Sequence, residues 1–249
     1  MKVAIMQPYL FPYIGYFQLI KAVDLFVVHD DVQFIKGGWI NRNRILVNGS
    51  PFLFTFSLKK ASSSLNINQR YFSDAFVEEK KRLLRILKAS YGKAPYYFEV
   101  TKLVEEILEI NPEDDISKLI TRSLTKVCEY LNISTPIVMS SKIEKKNHLK
   151  GEERVIEINK RLKASHYINP IGGLELYNEE SFLRHGVRLS FIKSKPIVYP
   201  QGKEFVPWLS IIDVLMFNSK ENFNELLGSY DLIGNSIGLG ENSCENVLY

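Results

Sequence analysis

Cysteine is scarce in this chain: only Cys128 and Cys244 occur among 249 residues. Two cysteines support neither a disulfide scaffold nor a zinc site, and they fit a reducing compartment, the cytoplasm. Cys128 falls within a helical, apolar pattern, which excludes the electropositive, exposed setting a thiolate nucleophile needs. Long apolar runs are also missing. None approaches the roughly 18 residues of a membrane helix, and the apolar-rich stretch Phe11–Val28 is broken by Lys21 and Asp24. No basic start leads into a long apolar segment and a small-residue cleavage site, so no signal peptide is read. Ser-His-Asp order, a phosphate-binding Walker loop, His-Glu-x-x-His, a cysteine-pair zinc motif and internal repeats are absent as well. Charge of one sign is modest: the formal net charge of +4 suits anionic small ligands but makes no nucleic-acid footprint. The densest charged run, Glu78–Arg82, mixes both signs and reads as a solvated helix face.

What is present is a chain of ordinary globular composition, 45% hydrophobic and 24% charged, so a sizeable core is expected. Short β-rich runs alternate with helical patterns. Val3–Met6 reads as a strand, Tyr13–Ala22 as a helix and Leu25–Val28 as a second strand, parallel to the first because the connection is long enough to cross over. Arg44–Val47 and Phe52–Ser57 flank Asn48-Gly49, the dipeptide that a tight primed turn prefers, and predict a hairpin. Lys59–Asn68 is polar and serine-rich, a mobile loop. From Asp74 to Leu131 three helical segments follow, with Ser73-Asp74 as a cap for the first and Pro95 and Pro112 between the others. Strand patterns return at Pro136–Met139, His166–Ile168 and Val187–Ile192. Helices are expected at Gly151–Lys163, Glu179–His185, Leu209–Phe217 and Asn222–Leu227.

The order predicts an α/β fold: a doubly wound, mostly parallel sheet of Rossmann-like, nucleotidyl-transferase-like type, with a β-hairpin and an inserted helical subdomain. The core spans residues 1–72 and 133–232, the helical insert 73–132 and a flexible tail 233–249. Under this topology Gln7, His29–Asp31, Ser140-Ser141 and Asn169–Gly173 all follow carboxyl ends of strands, where open α/β sheets bind ligands.

Several segments there carry chemistry. Tyr13-Ile14-Gly15-Tyr16 stands where adenylyl-transferring enzymes carry His-x-Gly-His, but with tyrosines, which supply no imidazolium charge. Gly15 permits close backbone approach to a phosphate or ribose, while the alternative is an aromatic helix start packed into the core. His29-Asp30-Asp31-Val32-Gln33 offers carboxylates for general-base work or for binding a metal together with hydroxyls, or else a capped turn. Trp39-Ile40-Asn41-Arg42-Asn43-Arg44 supplies guanidinium forks for phosphate and amides for hydroxyls, or is a plain approach to the hairpin. Asn169-Pro170-Ile171-Gly172-Gly173, followed by Tyr177, is a glycine-rich loop for an anion, or a turn needing positive φ.

The segments AIMQPYLFPYIGYFQLI, DDVQF, WINRNRI, HYINPIGGLELY, YPQ and FVPWLSIIDVLMFN, in that order from Lys2 to Asn218, resemble the WbqC-like protein family. The resemblance implies a setting in bacterial O-antigen and surface-polysaccharide synthesis. It also implies a transferase activity, of which glycine transfer onto amino sugars is one suggested form. Joined to the residues, it implies N-acylation or N-aminoacylation of a nucleotide-linked amino sugar. Asp30 or Asp31, with His29, would accept the ammonium proton. Gly15 with Tyr13 and Tyr16 would hold base or ribose, Arg42 and Arg44 the pyrophosphate, and an amide near Gly172 or Gly173 the oxyanion. Gln7, Gln33, Trp39, Asn41, Asn43, Ser140, Asn169, Tyr177 and Gln201 complete the expected substrate-binding set. A nucleotide or an acyl donor is the expected companion; no metal, nucleic-acid partner or membrane insertion is expected. Two alternatives stay open: an ATP-dependent carboxylate–amine ligase of nucleotidyl-transferase fold, and a non-catalytic nucleotide-sugar-binding protein.

Overall fold

The computed structural model describes residues 1–111, 113–202 and 204–234. Its main sheet has six strands: β1 (Lys2–Met6), β2 (Leu25–Val28), β5 (Ile137–Met139), β6 (His166–Pro170), β7 (Arg188–Ser194) and β8 (Tyr230–Ile233), in the order β5-β2-β1-β6-β7-β8. The first five run parallel, and β8 is an antiparallel edge on β7. Strand order therefore runs one way from β1 to β5 and the other way from β1 to β8.

Side chains of successive strand residues point to opposite faces, and both faces here are apolar. Val3, Ile5, Val27, Tyr167, Leu189 and Phe191 pack on one face against Val155, Ile156 and Ile158 of α5 (Gly151–Arg161) and Phe182 of α6 (Glu179–Leu183). Ala4, Phe26, Val28, Ile168 and Ile192 belong to a larger cluster on the other face. That cluster takes in α1 (Ile14–Ala22), α7 (Ile211–Phe217) and α8 (Lys220–Gly228). Burial on both faces explains why the strands read as continuous apolar runs. The helices α2 (Phe76–Tyr91), α3 (Tyr97–Ile107) and α4 (Ile116–Tyr130) bury their apolar stripes in the same larger cluster.

The hairpin of β3 (Arg42–Val47) and β4 (Ser50–Thr55) forms a separate two-stranded sheet. Asn48 and Gly49 have φ of 52° and 78°, the paired positive values that a primed turn requires.

Three local expectations are corrected. Ser73-Asp74 does not cap α2; Ala75 holds that position without a side-chain bond, whereas Asp115 caps α4 by accepting from the Ser117 and Lys118 amides. The glycine-rich segment Ile171–Leu176 is a short 3-10 helix rather than an open loop. Residues 230–233 form β8, so Ile233, placed in the tail, ends a strand instead. Its four residues have no core-facing pattern of their own, and their register comes from β7, with Lys195 paired to Asp231 at 2.9 Å. The rest of the tail expectation, and Cys244, lie outside the described residues. Among the described residues no helix is long and apolar enough to cross a membrane.

Candidate functional site

The adjacency of β2 and β5 brings two distant polar clusters together. The chain leaves β2 at His29-Asp30-Asp31 and leaves β5 at Ser140-Ser141. Asp30 is fully buried. Its carboxylate accepts from the Ser141 amide at 2.9 Å, the Ser140 hydroxyl at 3.3 Å and the Asn68 amide at 3.1 Å. Asp31 is held more tightly still. One oxygen accepts from Ser140 Oγ, and the other faces Lys145 Nζ at 2.7 Å and Arg154 Nη2 at 2.6 Å. Lys145 also reaches the Ser140 carbonyl, and Arg154 donates to the Asp31 carbonyl at 3.2 Å. Together these bonds clasp the loop between β5 and α5 onto the end of β2.

Burial pushes the Asp31 carboxyl up. The hydrogen bonds from Lys145 and Ser140, with the Arg154 charge, outweigh that and leave it below the ordinary carboxylate value. An anion so held makes a poor proton acceptor, because protonation would break its bonds to two cations. Burial lowers His29 to about 4, so the ring is neutral near pH 7. Its Nε2 is buried and, among the described residues, makes no hydrogen bond. The geometry gives Asp30 and Asp31 the work of shaping the site.

An open cavity of about 600 Å³ adjoins this clasp. Asn66, Asn68, Gln69, Ser141 and Asn147 line it with amides and a hydroxyl; Asp31, Lys142, Lys145, Arg154 and Glu144 supply charge. Glu144 was not singled out in the sequence. Its carboxylate is exposed and, among the described residues, has no ion pair or hydrogen bond. Nothing in Lys142–Lys146 marks it, because what distinguishes it is the neighbouring loop 66–69.

The other expected residues sit elsewhere. Tyr16 is buried and donates to the Gln7 carbonyl at 2.8 Å. Tyr13 packs edge-on against Trp208, with centroids 5.7 Å apart. A Cβ on Gly15 would strike the Tyr13 ring and Ser194 Oγ, so the close approach that needs glycine is internal packing. Asn43 is buried and donates to the Leu10 and Phe11 carbonyls, both at 2.8 Å, fixing the loop after β1. Asn41 donates to the Phe56 carbonyl at 2.8 Å. Arg42 and Arg44, two apart on β3, both approach the Trp39 ring, at 5.8 and 5.1 Å from its centroid. Gln33, Asn41 and Arg42 line a second cleft, and a backbone bridge joins Gln33 to Asn66 of the cavity.

Asn169 is buried under Gly173 and accepts from the Tyr167 hydroxyl at 2.9 Å, while Gly172 is exposed and Tyr177 packs on Tyr167 and Phe182. A Cβ on Gly173 would overlap the Asn169 amide. Gly173→Ala is therefore expected to lose about 1–3 kcal/mol by overpacking. Thermal denaturation would show it, and an unchanged midpoint would contradict the contact. Gln201 is buried far from the β2 edge, bonding Tyr199 and Asp213. Among the described residues, then, the cavity gathers Asp31 beside Ser140 and Asp30. It does not gather Gln7, the Tyr13–Tyr16 segment, Asn169–Gly173, Tyr177 or Gln201.

The chain matches the WbqC-like protein family over residues 7–225, which takes in both strand-end clusters and every residue of the cavity. The chain belongs to the WbqC-like protein family. An uncharacterized protein of Mycobacterium tuberculosis, Rv1507c, is 28% identical over 222 residues, covering 87% of this chain and 93% of that one. No solved structure matches. In this chain a mostly parallel sheet carries helices on both faces, and the cavity opens at the carboxyl ends of β2 and β5, one strand from the reversal at β1 and β6. Among the described residues no group of three His, Cys, Asp or Glu side chains is placed to hold a metal.

Proposed function

We propose that this WbqC-like chain transfers an acyl or aminoacyl group onto the amine of a nucleotide-linked amino sugar, as one step of surface-polysaccharide synthesis. The observation that carries it is the polar cavity at the carboxyl ends of parallel strands, lined by three Asn, one Gln and one Ser beside a single unpaired carboxylate. Planar amides and a hydroxyl match the donor and acceptor pattern of sugar hydroxyls. The order of the five parallel strands and the antiparallel edge β8, counted within the sheet as 3-2-1-4-5-6, resembles that of doubly wound dinucleotide-binding folds in order though not in the direction of the last strand, and on that resemblance rests the nucleotide-linked part of the reading.

An amino sugar arrives as an ammonium and must lose a proton before it attacks. Asp31 is occupied by Lys145 and Arg154, so Glu144 is the base. It takes the ammonium proton; the nitrogen lone pair forms a bond to the acyl carbon. The resulting oxyanion collapses and expels the leaving group with its electron pair; Glu144 returns its proton to the leaving group and takes the second proton from nitrogen, which leaves the neutral amide. Glu144→Gln is expected to lower turnover about 10²–10⁴-fold, with the dissociation constant for the nucleotide sugar little changed. Product formation across a panel of activated acyl donors, with calorimetric titration of the sugar, measures both. No product with wild-type protein, or equal turnover by the variant, sinks the assignment. Release of AMP and pyrophosphate from ATP and a free acid would instead mark a ligase.

A further inference from the structure

The second cleft, between the Gln33–Gly38 loop and the Leu58–Ser63 segment, has a volume of about 920 Å³. Lys36, Arg42, Lys59, Lys60 and Arg70 line it, and no carboxylate does. Those five positive charges exceed the formal net charge of the whole chain, +4. Among the described residues none of the five forms an ion pair. Such a concentration of one sign in a concave surface focuses potential on an anion.

Two arginines are fixed in advance. Arg70 is only 9% exposed; its guanidinium lies 4.9 Å over the Phe34 ring and donates to the Ser62 carbonyl at 3.0 Å and to the Ala61 and Lys59 carbonyls, both at 3.5 Å. A cation so buried without a carboxylate is costly, and a bound anion relieves that cost. Arg42 spends Nε on the Gly38 carbonyl at 3.0 Å, and its terminal nitrogens carry no partner among the described residues. A Cβ on Gly37 would stand 3.5 Å from Arg42 Nη2, and Gly37 has a φ of +86°. Only the positive φ calls for glycine there, since 3.5 Å is an ordinary contact. A planar fork with both terminal nitrogens free matches two phosphate oxygens.

We infer that this cleft binds the diphosphate group of a small phosphate ester, with Arg42 as its fork and Lys36, Lys59 and Lys60 as mobile counter-charges. One phosphate would leave most of the five cations unmatched. A nucleic-acid strand would need exposed rings to stack its bases, and the face of Phe34, the one aromatic lining residue, is already taken by Arg70. The site stands on its own geometry and holds whether or not the cavity that Asn66 lines is a transferase site.

Calorimetric titration of the full chain with inorganic pyrophosphate tests it, beside a doubly substituted Arg42→Gln, Lys60→Gln protein and a Lys81→Gln control on the exposed face of α2. Thermal midpoints confirm that each variant is folded. Wild type and control are expected to bind pyrophosphate with affinity that falls as salt rises, and the double variant at least about tenfold more weakly. Sulfate competing as well as pyrophosphate, or unchanged binding by the folded double variant, overturns the inference. So does binding to anionic phospholipid vesicles, or to a short single-stranded oligonucleotide, without binding to free pyrophosphate.

Discussion

Asp213→Ala is expected to destabilise the fold by about 3–5 kcal/mol, since it leaves three buried hydrogen-bond donors without their acceptor. Asp213 is fully buried in the first turn of α7 and, among the described residues, has no cationic partner. Three donors satisfy it instead: Tyr91 Oη at 2.6 Å, Tyr199 Oη at 2.6 Å and Gln201 Nε2. Tyr91 in turn accepts from the Leu46 amide at 2.6 Å, and Gln201 accepts from the Val206 amide at 2.6 Å. One carboxylate thereby ties α2, the hairpin, Tyr199, Gln201 and Val206 to α7. Alanine would leave two phenols and an amide buried without their acceptor.

Burial raises the Asp213 carboxyl above its ordinary value, although the bonds from Tyr199, Tyr91 and Gln201 pull it down in part. The folded state therefore keeps its proton longer than the unfolded chain does. Wild-type stability from this group is fully present below the unfolded carboxylate value of about 3.9 and declines as pH rises through the folded value. The alanine variant lacks that decline. Denaturant titrations of both proteins across the acid range measure the difference. A loss under about 1 kcal/mol would show that the network contributes little beyond an ordinary hydrogen bond.

Asp31→Asn ranks beside it. The side chains of Asp31, Lys145 and Arg154 are 12%, 2% and 10% exposed, so solvent screens this cluster little. Removing the anion leaves two buried cations unpaired, a loss of about 3–5 kcal/mol. The damage should be local first: amide exchange should rise across residues 140–150, the loop that Lys145 and Arg154 pin. The lowered Asp31 value sets the sign. Its contribution is present above the unfolded carboxylate value and is lost as pH falls through the still lower folded one. His29 adds an earlier acid limb. Its folded value of about 4 means that stability falls between roughly pH 6.5 and 4, where only the unfolded ring binds a proton. The asparagine variant should keep the His29 limb and lack the lower one. Unchanged exchange in the loop would refute the clasp.

Much of the architecture was legible. Leu25–Val28 is a strand with the expected ends, the three helices between residues 74 and 131 are present, and Asn48-Gly49 turns the hairpin. The strand-end expectation was also informative, since His29–Asp31 does meet Ser140. The roles within that meeting were not readable. Asp31 looks like a free base in DDVQF, and only Lys145 and Arg154 show that it is bound. Gly15 and Gly173 look like phosphate loops, yet each makes room for a side chain of this chain, Tyr13 and Asn169. Glu144 and the Lys59–Arg70 contribution to the basic cleft carry no local signature at all.

By itself the sequence determined the periodicities, the turn chemistry, the apolar faces and the family, because these depend on sterics and burial over a few neighbouring residues. The tertiary structure alone decided which polar group faces which. That choice follows from strand order: β5 lies next to β2, so the loop from Ser140 to Lys150 closes over Asp31 rather than over Gln7 or Asn169. A carboxylate's charge and basicity are set by whatever lies within a few ångströms, and here those neighbours come from far along the chain.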